Sequence, residues 1–357
     1  MGSVSTRDLA ERTDHELVIG EFNVEAAETL ADSLGRSAEV VRVDVQDDHS
    51  LTAALNDVDV VLNATFMRWV PRVTRAAIDA GVHLVDLGAY FPETAEQLDM
   101  DEDARAAGCR IVPGCGVAPG LTNVLARHGA EQLDAVDSIR MYSYITHPLT
   151  TSPGIVYTRF DASTGVSLVL HDGRLEEHPS FGEEESVEFP PPYGDQLVHL
   201  VPHPEPLTLP RYLSVKNAVF KVGYPEEDTT RLRSLLELGF DSDEPFAFGG
   251  GEIVPRDFAA AFVGRLGMTG MRTANVKRVI LDGSIDGEPT RLTYDFATEQ
   301  VGRSASSAIT GTVAAIAAAI VATGGPLGVH PPEGAFETVG FLESLRARGF
   351  EITETRT

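Results

Sequence analysis

DVVLNAT (Asp59–Thr65), VHLVDLG (Val82–Gly88) and RIVPGCGVAPGLTN (Arg110–Asn123) are three short β-type runs, and each ends in a small or polar residue. Helical sequence follows the first two. An apolar strand ending in Asp44 precedes them. Strand and helix alternating through short connections predict a parallel sheet with right-handed crossovers. The carboxyl ends of such strands form the edge on which a dinucleotide lies.

The same fold opens on a strand, the glycines of G-x-G-x-x-G and a helix. Here Met1-Gly2-Ser3 runs directly into helical sequence, and the next strand, ELVIGEFN, ends near Glu21. An acid about 20 residues past the glycines binds the ribose hydroxyls in this fold. Glu21 lies 19 residues after Gly2. Gly2 therefore takes the place of the last glycine, and the first strand and glycine pair are expected from an in-frame segment upstream of Met1.

Each strand end suggests a cofactor role. Glu21 would accept from a ribose 2′-hydroxyl and repel a 2′-phosphate, so NAD is expected in preference to NADP. Asp44 is placed to accept from the adenine amino group. Asn63 and Thr65 supply hydrogen bonds where small residues let a ligand approach. Gly88 and Gly116 give backbone access. Asp86 is expected to face the cleft, as the catalytic group that orients an ammonium or relays its proton. In PGCGVAPGLTN, Gly120 lies near a helix N-terminus whose N–H groups favour a carboxylate. Cys115, with no positioned histidine legible, is assigned to packing. Arg159, Arg211 and Arg303 could each pair a carboxylate bidentately. His203 and Glu205 are further polar candidates. The ten histidines show no metal spacing, and no metal is expected.

The 357 residues suit two domains. A Rossmann-type parallel sheet with its first strand missing is expected over 1–120. A substrate and dimerisation α+β domain, mostly antiparallel, is expected over 121–310, with strands at Ser138–Thr146 and Ile155–Phe160. C-terminal helices over 311–357 are expected to pack back on the first domain. The apolar run around Ile309–Thr323 reads as a buried helix, too short to span a membrane. The net charge is −26, with 54 acids against 28 Lys and Arg. Lysine occurs only at 216, 221 and 277. That balance argues against nucleic-acid and anionic-membrane partners and suggests a halophilic, salt-adapted surface. Two cysteines without a disulfide pattern fit a reducing cytoplasm.

PGCGVAPGLTN resembles the saccharopine dehydrogenase family, in particular lysine 6-dehydrogenase-type members. VDVQDDHSL, DVDVVLNAT, AAIDAGVHLVDLG, HPEPLTLPR (His203–Arg211), FKVGYP (Phe220–Pro225), VPRDF (Val254–Phe258), VGRSASSA (Val301–Ala308) and GVHPPE (Gly328–Glu333) follow in family order. The resemblance implies NAD(P)-dependent oxidation of the amine-bearing carbon of an amino acid, in a homodimer. Substrate contacts are expected at Gly120, Arg159, His203 and Arg211. The alternatives are an imine-reducing condensation enzyme, of saccharopine or carboxynorspermidine type, and a truncated, inactive binding homologue. The segment Arg159–Gly173 looks shorter than its family counterpart, which usually carries a substrate-side helix.

Overall fold

The structure is a computed structural model and describes residues 1–88, 90–266 and 270–357. The first part alternates helix and strand. Helix α1 (Gly2–Arg12) leads to β1 (Val18–Glu21), α2 (Val24–Asp32), β2 (Glu39–Arg42) and α3 (Asp48–Ala54). Then come β3 (Val60–Asn63), α4 (Val70–Ala80), β4 (His83–Asp86), α5 (Phe91–Leu98), α6 (Asp101–Ala106) and β5 (Arg110–Val112). All pairings here are parallel. Local signals set the boundaries. Helix α4 carries Pro71 in its first turn, where no amide is needed. It ends at Gly81, whose φ of 72° suits a left-handed cap.

The expected single sheet is in two pieces. Strands β1 and β2 form one parallel pair, and β3, β4 and β5 belong to another sheet. Among the described residues no strand joins β1 to β3.

The second part holds α7 (Leu121–Ala130), β6 (Ala135–Ile145), α8 (Pro153–Ser163), β7 (Val166–His171), β8 (Arg174–Pro179), β9 (Glu185–Phe189) and β10 (Gly194–Leu200). It continues through α9 (Glu205–Thr208), β11 (Asn217–Gly223), α10 (Glu226–Glu237), β12 (Phe246–Phe248), β13 (Gly251–Ile253), α11 (Pro255–Val263), β14 (Arg272–Ile285) and β15 (Glu288–Val301). The chain closes with α12 (Ala305–Thr323), β16 (Gly328–Val329), α13 (Pro332–Ala335), α14 (Thr338–Arg346) and β17 (Ile352–Arg356). The large sheet runs β17-β15-β14-β6-β11-β10-β9, with β7 and β8 attached through β11. Only β6 and β11 pair in parallel. Asp286-Gly287 and Asp172-Gly173 make two tight hairpins, with φ of 52° and 82°, and of 47° and 76°, as Asp-Gly does between strands; Gly249-Gly250 makes a third, between β12 and β13.

The strand expected at Ile155–Phe160 is instead the middle of α8. Ser152 caps that helix by accepting from the Ile155 amide, and Pro153 opens it. Those start signals outweigh the strand-favouring run Ile155-Val156-Tyr157.

Two late elements return to the first sheet. Strand β16 pairs in parallel with β5, and α12 packs on β3, β4 and α1. Gly311 makes the α1 contact close: a Cβ there would stand 2.7 Å from the Met1 carbonyl oxygen and from Val4 Cβ. The Ser5 hydroxyl donates to the Gly311 carbonyl at 2.8 Å. The expectation that the apolar run is too short to span a membrane is corrected. Helix α12 has 19 residues and a mean hydropathy of 1.8, enough by length and composition. Most of its residues are buried, 72% of an 18-residue window, as the core helix between the sheets.

Candidate active site

The α1 start sits against the end of β3. A Cβ on Gly2 would come within 3.2 Å of Ala64 Cβ, and no side chain caps the helix. Beside it, Asn63 Oδ1 accepts from the Thr65 amide at 3.0 Å and the Thr65 hydroxyl at 2.8 Å. Asn63 is 4% exposed, and its Nδ2 is buried without a partner. A buried donor left unmade is costly, so this N–H₂ group is available to a ligand oxygen. On the separate β1–β2 pair, Glu21 Oε1 accepts from the Phe22 and Asn23 amides at 2.9 and 3.1 Å. Arg42 is the register partner of Glu21, and its guanidinium lies 4.8 Å over the Phe22 ring. Asp44 closes a local turn by accepting from the Gln46 amide at 3.0 Å.

Asp86 does not face the cleft. It is fully buried. Its Oδ1 accepts from the Gly88 and Gly114 amides, each at 2.8 Å, and its Oδ2 from Gln97 Nε2 at 2.7 Å. Burial raises its pKa, partly offset by those three donors. The carboxylate ties the end of β4 to the PGCG loop and has no free oxygen for a substrate. The expectation that it faces the cleft is corrected for that reason.

The loop itself is closed. Gly116 and Gly120 are buried. The Gly116 amide donates to the Pro119 carbonyl at 2.9 Å, and a Cβ on Gly116 would stand 2.7 Å from the Leu87 carbonyl oxygen. The Gly120 amide donates to Asn123 Oδ1 at 2.9 Å, so the α7 start is capped by its own chain and offers no open carboxylate site there. Gly88 is half-buried against Pro119, with φ of 100°. Cys115 is buried, and burial pushes its thiol well above the usual range.

A cavity of about 470 Å³ lies between the segment after β4 and α8. Phe66, Tyr90 and Tyr157 wall it, and Glu93, Asp161 and Arg256 bring charge. Arg256 is spoken for: it pairs with Asp161 and, at 3.1 Å, with Asp243. Glu93 Oε2 is buried without a partner, and desolvation raises the Glu93 pKa.

A chain of buried polar groups leads inward from Tyr90. Arg159 is 5% exposed. Its guanidinium carbon lies 3.2 Å from the Tyr224 ring centre, and it donates to the His147 carbonyl at 3.4 Å. Burial first, then Arg159, lowers His147 to about 3. Lys277, 1% exposed, donates to Ser143 Oγ; burial lowers it to about 7, against the raising effect of Glu205. Glu205 is fully buried and accepts from the Thr122 hydroxyl at 3.3 Å and from His203 Nδ1 at 3.1 Å.

The family model for the saccharopine dehydrogenase NADP binding domain matches residues 1–112, and that for the saccharopine dehydrogenase C-terminal domain matches 116–350. The chain belongs to the saccharopine dehydrogenase family. A curated relative, alpha-aminoadipic semialdehyde synthase of Arabidopsis thaliana, is 29% identical over 119 residues, 33% of this chain and 11% of that protein. The chain thus spans a small part of that relative. The apo saccharopine dehydrogenase (L-Glu forming) of Saccharomyces cerevisiae has the same fold. Its TM-score is 0.76 at 16% identity, over 100% of this chain and 98% of that one.

Membership implies a nicotinamide dinucleotide, and the residues fit one. Gly2, Asn63 and Thr65 converge at the α1 start, and Asn63 Nδ2 lacks a partner. Glu21 ends β1, and Asp44 follows the end of its partner β2 on the separate pair. Among the residues expected to touch substrate, Arg159 and His203 lie along the buried chain behind the cavity. Arg211 does not: it is exposed in the turn Leu209–Arg211 and lines no part of the cavity. Tyr90, Glu93, His147 and Lys277 were missed. A lone lysine inside an alternating apolar strand, in a chain with three lysines, was the one available signal.

Proposed function

We propose that this protein oxidises the amine-bearing carbon of an amino acid, with NAD preferred over NADP. The observation that carries this reading is the cavity between the segment after β4 and α8, lined by the Glu93 carboxylate, whose Oε2 is buried without a partner, beside aromatic walls. A substrate ammonium suits such a place, through charge and cation–π attraction. Arg159, buried behind Tyr90, is assigned the substrate carboxylate. Bound NAD(P) supplies the hydride acceptor. The protein residues orient the amine, exclude water and manage its proton. A homodimer acting in the cytoplasm completes the proposal.

A second reading is reduction of an imine formed from an aldehyde and an amino acid. It is favoured by the local match to alpha-aminoadipic semialdehyde synthase. One experiment separates them. NADH absorbance is followed with single amino acids, such as lysine, plus NAD, and with aldehyde–amino acid pairs plus NADH. Oxidation of a single amine supports the first reading. NADH consumption that needs both partners supports the second. No turnover in either arm refutes both.

A further inference from the structure

With Asp86 sealed, the amine chemistry needs another proton acceptor. We propose that His203 is the general base, held by the buried Glu205 carboxylate; this deepens the reading above and rests on it. The pairing follows from position. Pro202 lines the cavity, and the next residue, His203, turns inward. Its ring stacks on Phe220 at 3.9 Å between centres and 2° between planes. Its Nδ1 lies 3.3 and 3.1 Å from the two Glu205 oxygens. Glu205 has no exposed surface, whereas the His203 side chain is 16% exposed.

A carboxylate accepts only, so the Nδ1 proton is fixed toward Glu205 and Nε2 is left as the acceptor. Stacking sets the ring plane, and the hydrogen bond sets its rotation. The groups that bear on the pair are Tyr90, whose ring centre is 6.1 Å from that of His203, Thr122, whose hydroxyl donates to Glu205, and Lys277 and Glu333, whose charges both interact with that of Glu205. Tyr90 also walls the cavity, so His203 stands beside the wall nearest the end of β4. His203 does not itself line the cavity, so a substrate amine there passes its proton to Nε2 through a water.

The step balances. The substrate ammonium, R₂CH–NH₃⁺, gives one proton to Nε2. The nitrogen lone pair so freed forms C=N as the C–H electron pair leaves as hydride to an oxidised nicotinamide dinucleotide. The products are R₂C=NH₂⁺, the reduced dinucleotide and a proton, which the imidazolium releases through its exposed edge. Glu205 stabilises the imidazolium without itself taking the proton, the role of the carboxylate in carboxylate-oriented histidines.

Two measurements test this. The first needs neither cofactor nor turnover: ¹⁵N spectra of histidine-labelled protein, with the His203 signal assigned by its loss in His203→Gln. The expected result is the Nδ1–H tautomer at pH 8, shifting toward Nε2–H in Glu205→Gln. An Nε2–H tautomer in the wild type overturns the proposal. The second uses the amine found to be oxidised. His203→Gln is expected to lower kcat by about a hundredfold or more, the scale of acid–base groups, and to remove the acid limb of the pH profile. NADH affinity, read by fluorescence, is expected to stay within about twofold. Glu93→Gln is expected to raise KM and keep the limb. A limb that disappears with Glu93 and survives in His203→Gln overturns the proposal and leaves the amine reading standing. If no amine is oxidised, the amine reading and the base both fall, even with the tautomer as expected.

Discussion

Asn123 Nδ2 donates to Glu333 Oε2 at 3.0 Å, joining the start of α7 to α13. Both side chains are buried, and they stand 210 residues apart in the chain. Burial raises Glu333 from the usual 4.5 to about 7, against the lowering effect of hydrogen bonds from Thr208 and Asn123.

A pH dependence of stability follows. The folded state holds a proton that the unfolded chain releases above about pH 4.5. Stability from this group is complete below the unfolded value, falls as pH rises from 4.5 to 7, and is flat above. The span is worth about 3 kcal/mol. Glu333→Gln keeps the neutral shape and removes the loss. Urea midpoints of the two proteins at pH 5 and pH 8 are expected to converge at the first and to favour the variant at the second. Equal differences at both pH values would refute the assignment.

Asp86→Asn is expected to keep the fold and to hold turnover within about tenfold. Asparagine retains Oδ1 for both glycine amides, and Gln97, whose Oε1 is buried without a partner, can turn its amide to accept from the new N–H₂. Asp86→Ala strands two amides and the Gln97 side chain and is expected to cost about 3 kcal/mol or more. Denaturant unfolding and steady-state kinetics measure both. A hundredfold loss in Asp86→Asn would restore the carboxylate to the chemistry.

Arg42 stands opposite Glu21, a cation beside the acid proposed to reject a 2′-phosphate. Removing the acid leaves that cation to attract one. Glu21→Ser is therefore expected to move preference toward NADP by about tenfold or more, and Glu21→Ser with Arg42→Ala to lose most of that gain. Dissociation constants for NADH and NADPH, from fluorescence, give the answer. Unchanged ratios would remove Glu21 from cofactor choice.

Salt is expected to stabilise the fold. At a net charge of −26, self-repulsion opposes compactness. The screening length falls from about 10 Å at 0.1 M to about 3 Å at 1 M. The melting temperature is expected to rise between 0.1 and 3 M KCl, with NaCl acting alike. A flat curve would mean that the acidity serves no salt adaptation.

Sequence alone determined the alternation of strand and helix, the strand ends at Asn63 and Asp86, both Asp-Gly hairpins and the family. Periodicity and turn chemistry are local, and they survive folding. Tertiary structure decided what the side chains at those ends do. Asp86 is at the predicted position, but Gly88, Gly114 and Gln97 occupy its oxygens; the packed loop brings Gly114 to it, and the packing of α5 brings Gln97. His203 and Glu205 are two residues apart, yet the Phe220 stack and the Tyr90 wall come from strand β11 and from the segment after β4. The helix at Pro153–Ser163 hid beneath a run of β-favouring residues. The value of a polar group depends on its burial and on partners distant in the chain, and neither is written in its own neighbourhood.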